Sequence, residues 1–306
     1  MRAVWSYWSR PYAEAQGWQW REPLHHFLAW GLSFELARRH FPETALVTDS
    51  AGKALLVDQL GLPFDHVSTE LDGLDGADPG LWALGKLLAF SVQEAPFVHL
   101  DTDVFLWRPL PIRLTTAPVL GQHPENFHVA DEWSGARVIE DAFTDAGIRV
   151  RVPAEWEWAR SLWGRTLNQV NCGIVGGTNI DFIRYYARLA LDLVLNRRHA
   201  AAWKQIPDKR WLNTVIEQFT LAACAEFHRF APESPFRGVH VRYLFPSTEA
   251  AFDRRYAERC GFTHLLAEAK GDPRVTERLE RRMELQNHEL YQRCVAVSAA
   301  AWAPDG

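Results

Sequence analysis

With 306 residues, 47% of them apolar and 23% charged, the chain has enough apolar mass for a full core and the composition of a globular protein. Its formal net charge of −5 argues against nucleic-acid binding, and the densest basic cluster, Arg278 to Arg282, alternates with Glu277, Glu280 and Glu284 as a solvated helix face does. No apolar run is long enough to span a bilayer, the first residues lack a signal-peptide core, and the four cysteines, Cys172, Cys224, Cys260 and Cys294, form no C-x-x-C pair, so a cytoplasmic protein with free thiols is predicted.

In chain order, Ala3 to Tyr7 reads as a short apolar strand, and Leu24 to Arg39 as a helix with Leu32, Leu36 and Ala37 on one stripe. Thr44 to Thr48 is a second strand, closed by Asp49-Ser50-Ala51-Gly52. A short helix from Lys53 to Leu60 stops at Gly61 and Pro63. A third strand, Asp65 to Leu71, precedes a helix from Leu81 to Gln93. That helix leads into the apolar strand Pro96 to Leu100, which delivers Asp101 and Asp103 at its C-terminal end. This β-α alternation predicts a mixed α/β fold: a mostly parallel sheet flanked by helices.

Side chains at i and i+2 of an extended segment share a face. Two carboxylates so placed repel each other unless a cation sits beside them, and Mg²⁺ or Mn²⁺ shared with substrate phosphates is the natural occupant. Ligands of open α/β sheets bind beyond the carboxyl ends of the strands, which is where this pair lies.

The second half is less regular. Val119 to Gly121 is a strand, and Gln122 to Gly164 is predicted as loops and short helices over one end of the sheet. Four of the fourteen tryptophans, Trp133, Trp156, Trp158 and Trp163, crowd this stretch, as core packing or as a flat aromatic face for a ligand. Asn171 to Gly177 reads as a buried strand with a glycine close. Helices from Ile180 to Asn196 and from Lys209 to Glu226 come next, then a strand from Val239 to Leu244 and a closing helix from Pro273 to Cys294. No internal repeat and no low-complexity linker interrupts residues 1–306, so a single domain is expected.

These elements together resemble glycosyltransferases of the GT-A fold, over nearly the whole chain, and in particular a bacterial group of glycosyltransferase-like proteins. The resemblance rests on the Asp101-Thr102-Asp103 strand end, on Lys86 in the preceding helix, on Asn171-Cys172-Gly173, which is similar to an N-x-G strand, and on His264 and Lys270, which are similar to the His-x5-Lys element of family 8-like retaining enzymes. It implies a single GT-A-like domain with a nucleotide-binding half over 1–110 and an acceptor and sugar half over 111–306. It further implies metal-dependent transfer of a sugar from a nucleotide-diphosphate donor, a UDP-sugar, to a glycan, peptide or small-molecule acceptor. Asp103 and Asp101 would hold the metal with His264 as third ligand, and an imidazole in that set suits Mn²⁺ better than Mg²⁺. Lys270 and Lys86 would meet the diphosphate, and Asn171 with Gly173 would floor the sugar pocket. Ser6 and Trp8, at the end of the first strand, and Thr48, Asp49 and Ser50, at the end of the second, are placed to meet the nucleoside.

Each of these residues has a plainer role open to it: a surface histidine at 264, a loop lysine at 270, a solvated helix lysine at 86, a strand cap at Asn171, and a turn former and helix N-cap at Asp49. If the reaction inverts, Glu217, Asp131 or Glu132 is the candidate base on the acceptor side; the His-x5-Lys similarity favours retention. Two other readings remain open. A haloacid dehalogenase-type phosphatase would use Asp101 as nucleophile and Asp103 as acid/base. Such a motif usually opens its domain, however, and here about a hundred residues precede it. The other reading is a non-catalytic, repurposed nucleotide-binding scaffold.

Overall fold

The computed structural model describes residues 1–14, 20–128, 135–148, 152–163 and 166–301. Its centre is a seven-stranded sheet made of β1 (Arg2–Tyr7), β2 (Thr44–Thr48), β3 (His66–Ser68), β4 (Phe97–Leu100), β6 (Val119–Gly121), β9 (Ile174–Gly177) and β10 (Val241–Tyr243). The strand order is β10-β6-β9-β4-β1-β2-β3. Neighbours pair in parallel except β9, which runs antiparallel to both β4 and β6. This is the mixed, mostly parallel sheet expected from the sequence.

Two further pairs stand outside the sheet. β5 (Val104–Leu106) is joined antiparallel by β11 (Phe262–His264), and β7 (Pro124–His128) by β8 (Thr166–Val170).

Alternation along each strand divides the core between the two faces of the sheet. Val4, Ala45, Val47, Phe97 and Val175 face one side, under the helices Ala83–Ser91 and Ile180–Leu195, with Leu84, Leu87, Phe90, Phe182 and Tyr186 packed among them. Trp5, Leu46, Val98, Leu100 and Ile174 face the other, against Phe27, Trp30 and Phe34 of the helix Pro23–Ala37. Strands buried on both faces read as near-continuous apolar runs, which is why β1, β2 and β4 are legible in the sequence.

The structure departs from the expectations in four places. The short helix starts at Ser50 rather than Lys53, because the Asp49 carboxylate caps it by accepting from Gly52 N at 2.7 Å, and it continues as a π-helical turn over Ala54–Gln59. The strand expected from Asn171 begins only at Ile174. The 122–164 stretch holds a strand, β7, besides the expected short helices Gly135–Asp145 and Ala154–Trp163. The closing helix breaks at Asn287 (φ −155°, ψ 84°) into Pro273–Gln286 and His288–Ala301, and the Asn287 side chain caps the second piece through Leu290 N.

The antiparallel insertion of β9 needs two glycines. A Cβ on Gly176 (φ 155°) would lie 2.1 Å from the Phe97 carbonyl oxygen, and one on Gly177 (φ 145°) would lie 2.2 Å from that of Pro118. Both clashes are with backbone, which cannot rotate away. Gly176→Ala is therefore expected to destabilise the protein by roughly 3 kcal/mol or more, read as a lower midpoint of thermal unfolding.

Candidate active site

The site forms where the strand order reverses, at the carboxyl ends of β1 and β4. Because β9 runs the opposite way, the residues just before it, Asn171 to Gly173, arrive at this same end of the sheet. Asp101 N donates to Gly173 O at 3.0 Å, extending the β4–β9 ladder by one rung. The chain then turns, with Val104 N donating to Asp101 O at 3.0 Å, and enters β5. There β11 zips on, with His264 opposite Val104 and Leu265 N donating to Asp103 O at 3.0 Å. A two-stranded ladder thus carries His264 from far along the chain to within 3.3 Å (Nε2 to Oδ1) of Asp103.

Asp101, Asp103 and His264 each offer one ligand atom, and these atoms all lie within 4.8 Å of one another. Two carboxylate oxygens and one imidazole nitrogen form a donor set that suits Mn²⁺. His264 Nδ1 lies 2.8 Å from Gln122 Oε1. With the proton placed on Nδ1 for that bond, Nε2 keeps its lone pair toward Asp103, an outer-shell arrangement that fixes ring orientation and tautomer. Sequence reasoning missed Gln122; its position directly after β6, at a strand's carboxyl end, is the signal that marks it.

Gly173 completes this packing, since a Cβ there would stand 2.2 Å from Gln122 Oε1 and 2.4 Å from His264 Nδ1. Gly173→Ala is expected to push the imidazole out of line and weaken Mn²⁺ binding about tenfold or more, measured by titration of the metal into the apo protein.

Two lysines brace the carboxylates. Lys270 Nζ lies 2.6 Å from Asp103 Oδ2 and sits over the Trp20 ring. Lys86 Nζ is shared among Asp101 Oδ1 at 2.9 Å, Glu217 Oε1 at 2.7 Å and the Cys172 carbonyl at 3.1 Å. The helix that carries Lys86 is pinned at its first N–H by Asn213, whose Oδ1 accepts from Ala83 N at 2.8 Å and whose Nδ2 donates to Gly80 O at 2.8 Å. Glu217 lies four residues later on a π-helical turn, Val215–Phe219, so one helical segment both fixes the Lys86 helix and supplies its counter-charge.

Burial and close charges set the electrostatics of the site. Burial alone would lower the Lys86 ammonium, but the carboxylates of Asp101 and Glu217 outweigh it and hold it raised. Burial raises Glu217 to about 7 against the pull of Lys86. Burial also raises Asp101, with Lys86 opposing and Asp103 adding to the rise. Burial acts on Asp103 too, yet Lys270 and His264 overcome it and hold that carboxyl well below the usual range. His99 is kept neutral by burial and then by Lys86, and its Nε2 meets Ser6 Oγ at 2.9 Å.

The family DUF6734, described as a family of unknown function, matches residues 1–297. The chain belongs to that family. No curated protein matches it. Among solved structures it is similar to galactosyltransferase LgtC, determined in complex with donor and acceptor sugar analogs. The two chains are 12% identical with a TM-score of 0.38, over 100% of this chain and 98% of that one.

In this DUF6734 chain the remaining predicted residues have defined places. Thr48 is buried and its hydroxyl donates to Tyr7 O at 2.6 Å. Asp49, besides capping the Ser50 helix, accepts from Ser9 N and Ser9 Oγ at 2.8 and 2.7 Å, so both of its oxygens are engaged within the fold. Trp8 is buried against the helix of Lys86 at Gly85, where a Cβ would come within 3.0 Å of it. Asn171 Oδ1 accepts from Gly173 N at 3.1 Å, and its Nδ2 donates to Glu125 at 2.8 Å. Trp156 is a packing residue, fully buried with its indole N–H on Thr220 Oγ1, while Trp158 is part-exposed and lies edge-on to Phe227. Asp131, Glu132 and Trp133 lie outside the described residues, as does the side chain of Trp163.

Proposed function

We propose that this chain is a metal-dependent glycosyltransferase of the GT-A type, taking a sugar from a nucleotide-diphosphate donor, a UDP-sugar, with Mn²⁺ (or Mg²⁺) held by Asp103, His264 and Asp101. The observation that carries the reading is the cluster of Asp101, Asp103 and His264 at the switch point of the sheet, bracketed by Lys86 and Lys270. Fully ionised, Asp101, Asp103 and Glu217 exceed the two lysines by one negative charge, which a divalent cation reverses. When bound, the ion supplies charge neutralisation to a leaving diphosphate.

The chain's own residues do the rest. Gln122 aims His264, and Lys270 and Lys86 place positive charge where the diphosphate develops its negative charge. Ser6, oriented by His99, stands with Trp8 at the end of β1 on the nucleoside side, while Thr48 and Asp49 shape that wall through their internal bonds. Asn171 and Gly173 floor the sugar pocket. Glu217, fully buried beside Lys86, acts as the positioning residue for that lysine.

Retention is favoured by the His-x5-Lys similarity, and among the candidate bases in the described residues Glu217 is already engaged by Lys86. In that case the bond from the anomeric carbon to the diphosphate breaks as the bond to the acceptor oxygen forms, and the diphosphate takes the acceptor's proton. We read residues 1–306 as one domain, since the central sheet draws strands from both halves of the chain. We place the protein in the cytoplasm: all four cysteines are free, and among the described residues no helix is long and apolar enough to cross a membrane.

The test is a thermal-shift panel of UDP, GDP, ADP and CMP with and without Mn²⁺. A ligand at a hundredfold excess over its Kd adds about 2.7 kcal/mol to the native state. UDP is expected to raise the unfolding midpoint only when Mn²⁺ is present. No shift with any of the nucleotides would remove the donor assignment and with it this reading.

A further inference from the structure

Beyond His264, on the side away from β1 and β2, a cleft of about 630 Å³ opens between the end of β6 and the segment from Ala251 to His264. Gln122, His123 and His264 belong to its lining, so it is continuous with the candidate metal site. Its walls also carry Arg108, Arg254 and Arg278, with Glu258 as the one acidic lining residue among the described residues. That concentration of positive charge is out of keeping with a chain of net charge −5. Arg254 pairs with Glu258 at 2.8 Å, and Arg108 donates to the Arg259 carbonyl at 3.3 Å. The sequence alone reads Arg278 as part of a solvated helix face; in the fold it borders a concavity.

The lining of the cleft includes a fully buried histidine. His123 has no exposed surface, and neither ring nitrogen has an aligned hydrogen bond among the described residues. Its Nε2 lies 3.1 Å from Glu125 Oε1, and Glu125 is in turn held by Asn171. Next to His123, with ring centroids 6.4 Å apart, stands Phe252, which is 66% exposed and offers an apolar face of the kind a sugar ring covers.

We propose that this cleft binds an acidic sugar, carboxylated or phosphorylated, with its anionic group on the arginines and its ring on Phe252. Calling that sugar the acceptor rests on the glycosyltransferase reading; the binding site itself does not.

The experiment is a ligand-observed NMR titration of the full chain with glucuronate, glucose 6-phosphate and glucose. Each is run with and without UDP and Mn²⁺, on the wild type, Arg278→Gln and Phe252→Ala. Glucuronate or glucose 6-phosphate is expected to bind about tenfold more tightly than glucose. Arg278→Gln should erase most of that preference, and Phe252→Ala should weaken all three sugars. Which acidic sugar is preferred distinguishes a carboxylate from a phosphate ligand. Equal binding of acidic and neutral sugars, no binding of any, or an Arg278→Gln preference equal to that of the wild type overturns the proposal. Arg278 and Phe252 are both exposed, so neither variant is expected to disturb the fold. UDP–Mn²⁺ binding measured in the same samples keeps the two readings apart: its loss together with intact acidic-sugar binding strikes the donor assignment and leaves the cleft.

Discussion

Asp103→Ala is expected to weaken Mn²⁺-dependent UDP binding by about a hundredfold or more, close to 2.7 kcal/mol. Asp103 is the residue on which the site converges. One oxygen faces His264 Nε2 at 3.3 Å and the other faces Lys270 Nζ at 2.6 Å, while its backbone carbonyl anchors Leu265. The substitution removes a ligand and leaves Lys270 without that carboxylate, so some loss of stability accompanies it. Asp103→Asn separates the two effects. The amide keeps the shape and can accept from Lys270, but it is a far poorer ligand for a hard cation. Both variants should lose the Mn²⁺-dependent UDP signal in calorimetry, while Asp103→Asn unfolds near the wild-type midpoint. Wild-type UDP affinity in Asp103→Asn with Mn²⁺ present would sink the site assignment.

Lys86→Met is expected to be the most destabilising change at the site. Its ammonium is buried between Asp101 and Glu217, and the side chain of Glu217 has no exposed surface. Removing one partner of a buried pair strands the other and typically costs about 3–5 kcal/mol. For a chain of this size that corresponds to a fall in the unfolding midpoint of roughly 5–8 °C. The double variant Lys86→Met/Glu217→Leu removes both charges and should recover a substantial part of the loss, a coupling that a double-mutant cycle measures directly. Additive losses in that cycle would show that Glu217 does not act through Lys86.

Strand ends are legible in this sequence because parallel strands buried on both faces appear as apolar runs, and the residues just beyond them turn polar where the chain leaves the core. Thr44 to Thr48 and Asp101-Thr102-Asp103 stand out for that reason. Gln122 and His123, just after β6, obey the same rule, yet they also open a stretch whose proline and tryptophan content reads as irregular, and that reading hides them. Asp49 shows the opposite difficulty. A carboxylate at a strand end can face a ligand or cap the next helix, and only the distances to Gly52 N and Ser9 identify the cap.

Local chemistry by itself determined the α/β class, the mostly parallel sheet, the paired aspartates and the kind of cation that would suit them, because periodicity and strand-end composition are local properties. Tertiary structure alone decided that β9 is inserted antiparallel, that β11 pairs with β5 to bring His264 to Asp103, and that Lys86 is locked between Asp101 and Glu217. It also decided that the exposed Arg278 borders a cleft. These are pairings between residues far apart in the chain, fixed by ladder register and by the burial of opposite charges, and no local pattern encodes which distant partner a residue will meet.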